Sequence, residues 1–183
     1  AEYKEVEAGT YYIGSSTGGG TYIYKVLVEE TVTAKAATYT LKDLAAGEKG
    51  KDTTRTSADG YFQYLVKSGS NTYVKTDSKT YDSESFATRL DTQGVAAKDN
   101  ASVKFTVSEG TTAKVTVIWS ESNAGRPLGL WSDKVESLTS DNAVEKINGA
   151  GKGVITKAEY KEVEAGTYYI GSSTGGGTYI YKV

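Results

Sequence analysis

The chain has 183 residues and a net charge of −2, and it contains no cysteine, methionine or histidine. That excludes a disulfide framework, the usual zinc and copper ligand sets, and every catalytic arrangement built on histidine. The near-neutral charge gives no footprint for nucleic acid or an anionic membrane, and no apolar run is long enough to span a bilayer.

Residues 1–26, AEYKEVEAGTYYIGSSTGGGTYIYKV, recur letter for letter as residues 158–183, an offset of 157. Within the first copy, Gly9 opens a short strand, TYYIGS, and Ser15 to Gly20 form a flexible turn. Residues 21–32 (TYIYKVLVEETV) then read as a long strand, so the pair is a hairpin candidate. Strict alternation places Tyr22, Tyr24, Val26 and Val28 on one face and Ile23, Lys25, Leu27 and Glu29 on the other.

Residues 1–33 are therefore expected to be the closing part of a repeat unit, 34–37 a linker, and 38–183 a complete unit. Within that unit, TYTLKDL (38–44) begins the domain and residues 47–59 are polar loop. YFQYLVK (61–67) and TYVKTDSKTY (72–81) read as strands around a turn at Ser68–Asn71, and FATRLDTQG (86–94) as a strand and turn. The clearest alternation follows. Val103, Phe105 and Val107 share one face, and after Gly110 so do Ala113, Val115, Val117 and Trp119. ESNAGRP holds the sole proline, Pro127, before a strand at 128–135. TSDNAVEK (139–146) reads as one helical turn or a loop, and residues 154–165 lead into the second copy. About ten short strands with no convincing helix imply an all-β antiparallel sandwich of jelly-roll type.

FATRL (86–90), ASVKFTVSEGTTAKVTVIW (101–119), GRPLGLWS (125–132) and the closing EAGTYYIGSSTGGGTYIYKV come in a telling order. Together they resemble the ancillary β-sandwich domains found beside bacterial pectate lyases, which typically end on AGTYYLGS and an IYGVKV strand. The resemblance covers roughly residues 38–183. It implies a non-catalytic, extracellular sandwich, related to pectin-binding modules that hold acidic polysaccharide through basic side chains. Identical tandem copies depart from that pattern and suit surface stalks and adhesins better.

Candidate ligand contacts are Arg89 and Arg126, whose guanidinium groups pair bidentately with carboxylates when they share a groove, with Trp131 as a sugar-stacking ring and Lys134 beside it. The plainer reading makes the arginines internal ion pairs and Trp131 core. GAGKG (149–153) lacks the GK[ST] of a phosphate loop and reads as a turn. Asp91, Asp99 and Asn100 supply oxygen ligands but match no calcium-loop spacing. No catalytic residue, metal or cofactor is expected.

The two copies compete for one slot in the sandwich. The spare copy is a set of strands seeking an edge, with Tyr11, Tyr12, Ile13, Tyr22, Ile23 and Tyr24 at the N-terminus and Tyr168, Tyr169, Ile170, Tyr179, Ile180 and Tyr181 at the C-terminus as the assembly residues. The N-terminal copy would give a frame of residues 1–157, the C-terminal copy a frame of roughly 27–183. The expected function is a structural repeat of a secreted or surface-borne bacterial stalk, adhesin or filament, partnered head-to-tail with copies of itself. The alternatives are a module for acidic plant polysaccharide and a chain engineered with a duplicated segment.

Overall fold

A computed structural model of the chain describes Tyr3, Val6 and residues 10–28 and 37–183. It divides into two compact units, Ala1–Thr33 and Ala34–Val183. In the first unit the described residues contain no strand. Tyr12, Tyr22 and Tyr24 are exposed, at 95%, 86% and 94%. Ser15 turns its hydroxyl onto the carbonyls of Thr17 and Gly19. The hairpin expected across residues 10–32 is therefore absent from its described part, and Glu29 to Val32 lie outside the described residues. So do 34–36 of the expected linker.

The second unit is two antiparallel sheets packed face to face. Its strands are β1 (Arg55–Thr56), β2 (Gln63–Leu65), β3 (Tyr73–Tyr81), β4 (Glu84–Asp91), β5 (Ser102–Val107), β6 (Ala113–Glu121), β7 (Leu128–Ser132), β8 (Glu145–Ile147), β9 (Thr156–Val163), β10 (Gly166–Ser172) and β11 (Thr178–Lys182). One sheet runs β1-β2-β5-β10-β7-β8, the other β3-β4-β11-β6-β9. From β4 onward the order is that of an eight-stranded jelly roll: counted from β4 as first, the sheets read 1-8-3-6 and 2-7-4-5. The strand β3 extends one sheet and β1–β2 the other. The polar stretch 47–59, expected as loop, contributes β1. Residues 139–146 supply a 3₁₀ turn at Ser140–Asn142 and the start of β8.

Among the described residues, only β1–β2, β3–β4 and β7–β8 pair with their neighbour in sequence. The turn at Ser68–Asn71 and the glycine run of the duplicated segment each carry the chain from one sheet to the other, so neither makes a hairpin. Alternation alone does not distinguish these cases, because a strand's inward face is apolar whichever sheet receives it.

The core lies between the sheets. Val103, Phe105 and Val107 face Val115, Val117 and Trp119 across it, as their alternation requires, joined by Tyr64, Leu128, Leu130, Tyr160 and Ile170. Two buried tyrosines satisfy their hydroxyls on backbone: Tyr64 donates to the Asp91 carbonyl (3.0 Å) and Tyr160 to that of Leu128 (3.2 Å). A second cluster, Leu65, Ala96, Trp131, Leu138 and Tyr169, lies outside the six-stranded sheet. A third, Phe86, Ile118 and Tyr181, forms apart from the main core.

Candidate functional site

The four residues expected to bind ligand do not converge. Arg89 alternates with the core-facing Leu90 and so stands on the outer face of the five-stranded sheet. Trp131 alternates with Leu130 and stands on the outer face of the six-stranded sheet, on the opposite side of the sandwich. Trp131 is fully buried, its indole N–H donating to the Thr139 carbonyl at 2.7 Å, and is core packing rather than a stacking platform. Lys134 is exposed. Each arginine is engaged with protein. The Arg89 side chain is 13% exposed, bonds Asp77 at 2.7 Å and Asp91 at 3.2 Å, and stacks 3.5 Å from the Tyr179 ring. Burial opposes its charge, and the two carboxylates more than offset this, leaving its pKa above the ordinary value. Arg126 donates through Nη1 to the Gly176 carbonyl (2.6 Å) and to the Ser122 hydroxyl.

Tyr179 and Gly176 both belong to the duplicated segment. That connects the two arginines: they line the seat into which residues 158–183 fit. The segment supplies three strands. β9 pairs along the outer edge of β6, β10 inserts between β5 and β7, and β11 inserts between β4 and β6. Both insertions are central, so the segment completes both sheets at once. Tyr168 and Ile170 of β10 enter the core, while Tyr169 faces outward and donates its hydroxyl to Asp133 at 3.0 Å. Burial, and then that bond, push the Tyr169 hydroxyl up to about 12. In β11 the expected alternation breaks. A bulge after Ile180 lets both Ile180 and Val183 face the core, while Tyr181 joins Phe86 and Ile118 and donates to Asp77 at 3.1 Å.

The glycine run makes the corner between β10 and β11. Gly176 and Gly177 hold φ of 93° and 79°, the left-handed region that favours glycine. Each also needs the missing side chain. A Cβ on Gly176 would lie 2.1 Å from Cζ of Arg126, and one on Gly177 would lie 2.4 Å from the Gln93 nitrogen. Around this corner Thr92 accepts from the Thr178 N–H through its hydroxyl (2.7 Å). Ser122 donates to the Gly177 carbonyl (2.6 Å), and Ser173 N–H donates to the carbonyl of Pro127 (3.0 Å). At the same glycines in the first copy, Gly18, Gly19 and Gly20, an added methyl would meet nothing within 4 Å.

The seat closes at the chain's last residues. β4 and β11 pair only at Tyr179–Asp91 and Ile180–Leu90. Beyond that, residues 41–44 fill the gap between them. Leu41 and Val183 exchange backbone bonds at 2.9 and 3.0 Å. On the other side Asp43 accepts from Ala87 N–H at 3.0 Å, and the Leu44 carbonyl accepts from Thr88. Glu84 takes Lys182 at 2.8 Å and Lys42 at 2.7 Å, and bonds to first Lys182 and then Lys42 hold its carboxyl below the usual range. Sequence reasoning missed Asp77, Glu84, Thr92 and Ser122. No local pattern marks them; each is defined by its bond to a segment remote from it in sequence.

Among the described residues no group of three His, Cys, Asp or Glu is placed to hold a metal. Asp91 is bonded to Arg89, Asp99 to Lys67, and Asn100 accepts from the Lys67 N–H. In the 149–153 turn the Gly149 N–H points at the buried Glu121 carboxylate, which occupies the place an anion would need. One open groove of about 350 Å³ lies on the outer face of the six-stranded sheet, lined by Tyr61, Gln63, Lys104 and Thr106. Tyr39 stacks on Tyr61 at 3.8 Å beside it. No protein-family model matches the chain, and comparison with curated proteins gives no match either.

Proposed function

We propose that this chain is a non-catalytic structural repeat of a secreted or surface-borne bacterial stalk, adhesin or filament, in which successive copies share the duplicated strands head to tail. One observation carries the reading. A segment present twice with identical sequence fills the central slots of both sheets in one copy, and its described part forms no strand in the other. A chain with one seat and two fitting segments always has one segment to spare. In a tandem array of period 157 the spare segment belongs to the neighbour.

Because every seat is already filled, exchange between molecules requires opening both sheets at their centres and is therefore slow. The test is light scattering on the full chain and on a variant lacking residues 1–26, each incubated near its unfolding temperature at high concentration. Growth of the full chain alone into oligomers is expected. Equal growth or equal monomers in both would reject strand sharing.

A second reading, binding of acidic polysaccharide, is favoured by the groove, where Gln63 and Lys104 are cross-strand partners beside the Tyr39–Tyr61 stack. Retardation in a polygalacturonate gel, lost in Lys104→Ala, tests it.

A further inference from the structure

Val26 is the counterpart of Val183, and the chain continues from it to Leu41 through the stretch 27–40. In the sandwich, Leu41 is the residue that exchanges backbone bonds with Val183, in antiparallel sense. The end of the seat therefore lies at the point where the body of the domain begins. A chain leaving the seat at the Val183 position and turning back through the stretch 27–40 enters Leu41 with the correct direction. Antiparallel neighbours need only a short connection, so the loop is ample.

From this we infer that the first occupant available to the seat, other than residues 158–183, is the N-terminal segment of the same molecule. The chain then exchanges between two frames that share residues 41–157. This rests on the strand-sharing reading of the seat and adds the molecule's own N-terminal segment as an occupant beside the neighbouring copy. The side-chain fit is the same in both frames. Tyr22 takes the place of Tyr179 against Arg89, Gly19 that of Gly176 under Arg126, and Lys25 that of Lys182 on Glu84.

Two features tip the balance toward the frame observed. Closing the 27–40 loop reduces the permuted frame on the order of fifty-fold relative to a seat filled by a directly connected strand. In addition, β9 begins at Thr156, ahead of the duplicate's first residue Ala158, so the permuted frame has a break in that edge strand. A short tether still presents the N-terminal segment at an effective concentration on the order of millimolar. At micromolar protein the same molecule's segment therefore reaches an opened seat before another molecule's does.

The test uses paired cysteines in the full chain, which has none of its own. Lys42 and Lys182 form an isolated antiparallel bridge beside the reciprocal Leu41–Val183 bonds, the close, non-hydrogen-bonded kind of pair that suits a disulfide. Lys42→Cys with Lys182→Cys traps the observed frame, and Lys42→Cys with Lys25→Cys traps the permuted one. Lys42→Cys with Tyr24→Cys is the off-register control. Each pair is oxidised slowly at micromolar protein and read by intact mass and peptide mapping.

The 25–42 disulfide is expected within single chains, at least tenfold above the off-register control. It should be enriched further when Gly176→Ala and Gly177→Ala spoil the C-terminal segment. An intrachain 25–42 yield no higher than the control overturns the inference. A 25–42 disulfide found only between chains overturns it too, while supporting strand sharing between molecules.

Discussion

Replacing the two corner glycines, Gly176→Ala with Gly177→Ala, gives the sharpest test of the seat. Both residues hold positive φ, and an alanine there costs about 1–2 kcal/mol at each position. The new methyl on residue 176 displaces the Arg126 guanidinium from Ser122 and the Gly176 carbonyl. The methyl on residue 177 drives into Thr92 and Gln93, where Thr92 receives the Thr178 N–H. Hydrogen bonds of these kinds contribute about 1 kcal/mol each, more where a charge is involved. Adjacent positions share their damage, so the pair is worth about 5 kcal/mol if the seat has only this occupant. If the N-terminal copy takes over, the loss stops at the gap between frames, which loop closure sets at about 2–3 kcal/mol.

Four chains decide the matter by urea denaturation: the parent, Gly19→Ala with Gly20→Ala, Gly176→Ala with Gly177→Ala, and all four substitutions together. The expected losses are about zero, about 2–3 and about 5 kcal/mol in that order after the parent. The N-terminal pair is silent because nothing lies near its glycines. A C-terminal pair as unstable as the fourfold variant would refute takeover by the N-terminal copy. A costly N-terminal pair would refute the assignment of the seat to residues 158–183.

Arg89→Ala leaves Asp77 and the buried Asp91 without their cation and should cost about 3–5 kcal/mol, whereas Lys134→Ala at the surface should stay within about 0.5 kcal/mol in the same denaturation. Trp131→Ala should cost about 3–5 kcal/mol from its buried site while leaving polygalacturonate retardation unchanged, because the ring is closed to solvent. Glu84 and Asp133 have lowered pKa values through lysine bonds, so their stabilisation is present above the ordinary carboxylate range. It is lost as pH falls through their folded values, and Glu84→Gln should flatten that acid limb of the stability profile. Burial raises Tyr64, Tyr160, Tyr169 and Tyr181, so their share of stability holds below the ordinary tyrosine pKa. It is lost as pH rises through the folded values, which tyrosinate absorbance and unfolding midpoints should register together.

The inward faces were legible because β-alternation is a local property: Val103 to Val107 and Val115 to Trp119 needed only their own sequence to declare a buried side. Sheet membership was not legible. The links β2–β3, β5–β6 and β10–β11 each cross the sandwich, and a turn sequence says that the chain reverses without saying which sheet receives it. The placement of the candidate residues was not legible for a related reason. Arg89 and Arg126 are the arginines of the matched signatures and Trp131 lies just downstream of Arg126, yet Arg89 and Trp131 are each one strand position from a core residue, on different sheets. Arginines chosen for their affinity for carboxylates did meet carboxylates, but those of Asp77 and Asp91 in the same domain.

The duplicated segment separates local from tertiary causes more cleanly than any substitution does. Residues 10–28 and 167–183 share their sequence through Val26 and Val183, and hence every intrinsic propensity, yet only the second stretch is in strands. Propensity is therefore not what makes β10 and β11. Their backbone is ordered by β4, β5, β6 and β7, which offer open ladders on both sides. Two of their aromatic rings are held from those same neighbours, Tyr179 by Arg89 in β4 and Tyr169 by Asp133 just after β7. Under the strand-sharing proposal, such a segment would move between seats at little net cost, because what it gives up on leaving one it recovers in the next. The seat holds the segment in register through Arg126 over Gly176, Thr92 at Thr178 and Glu84 between two lysines.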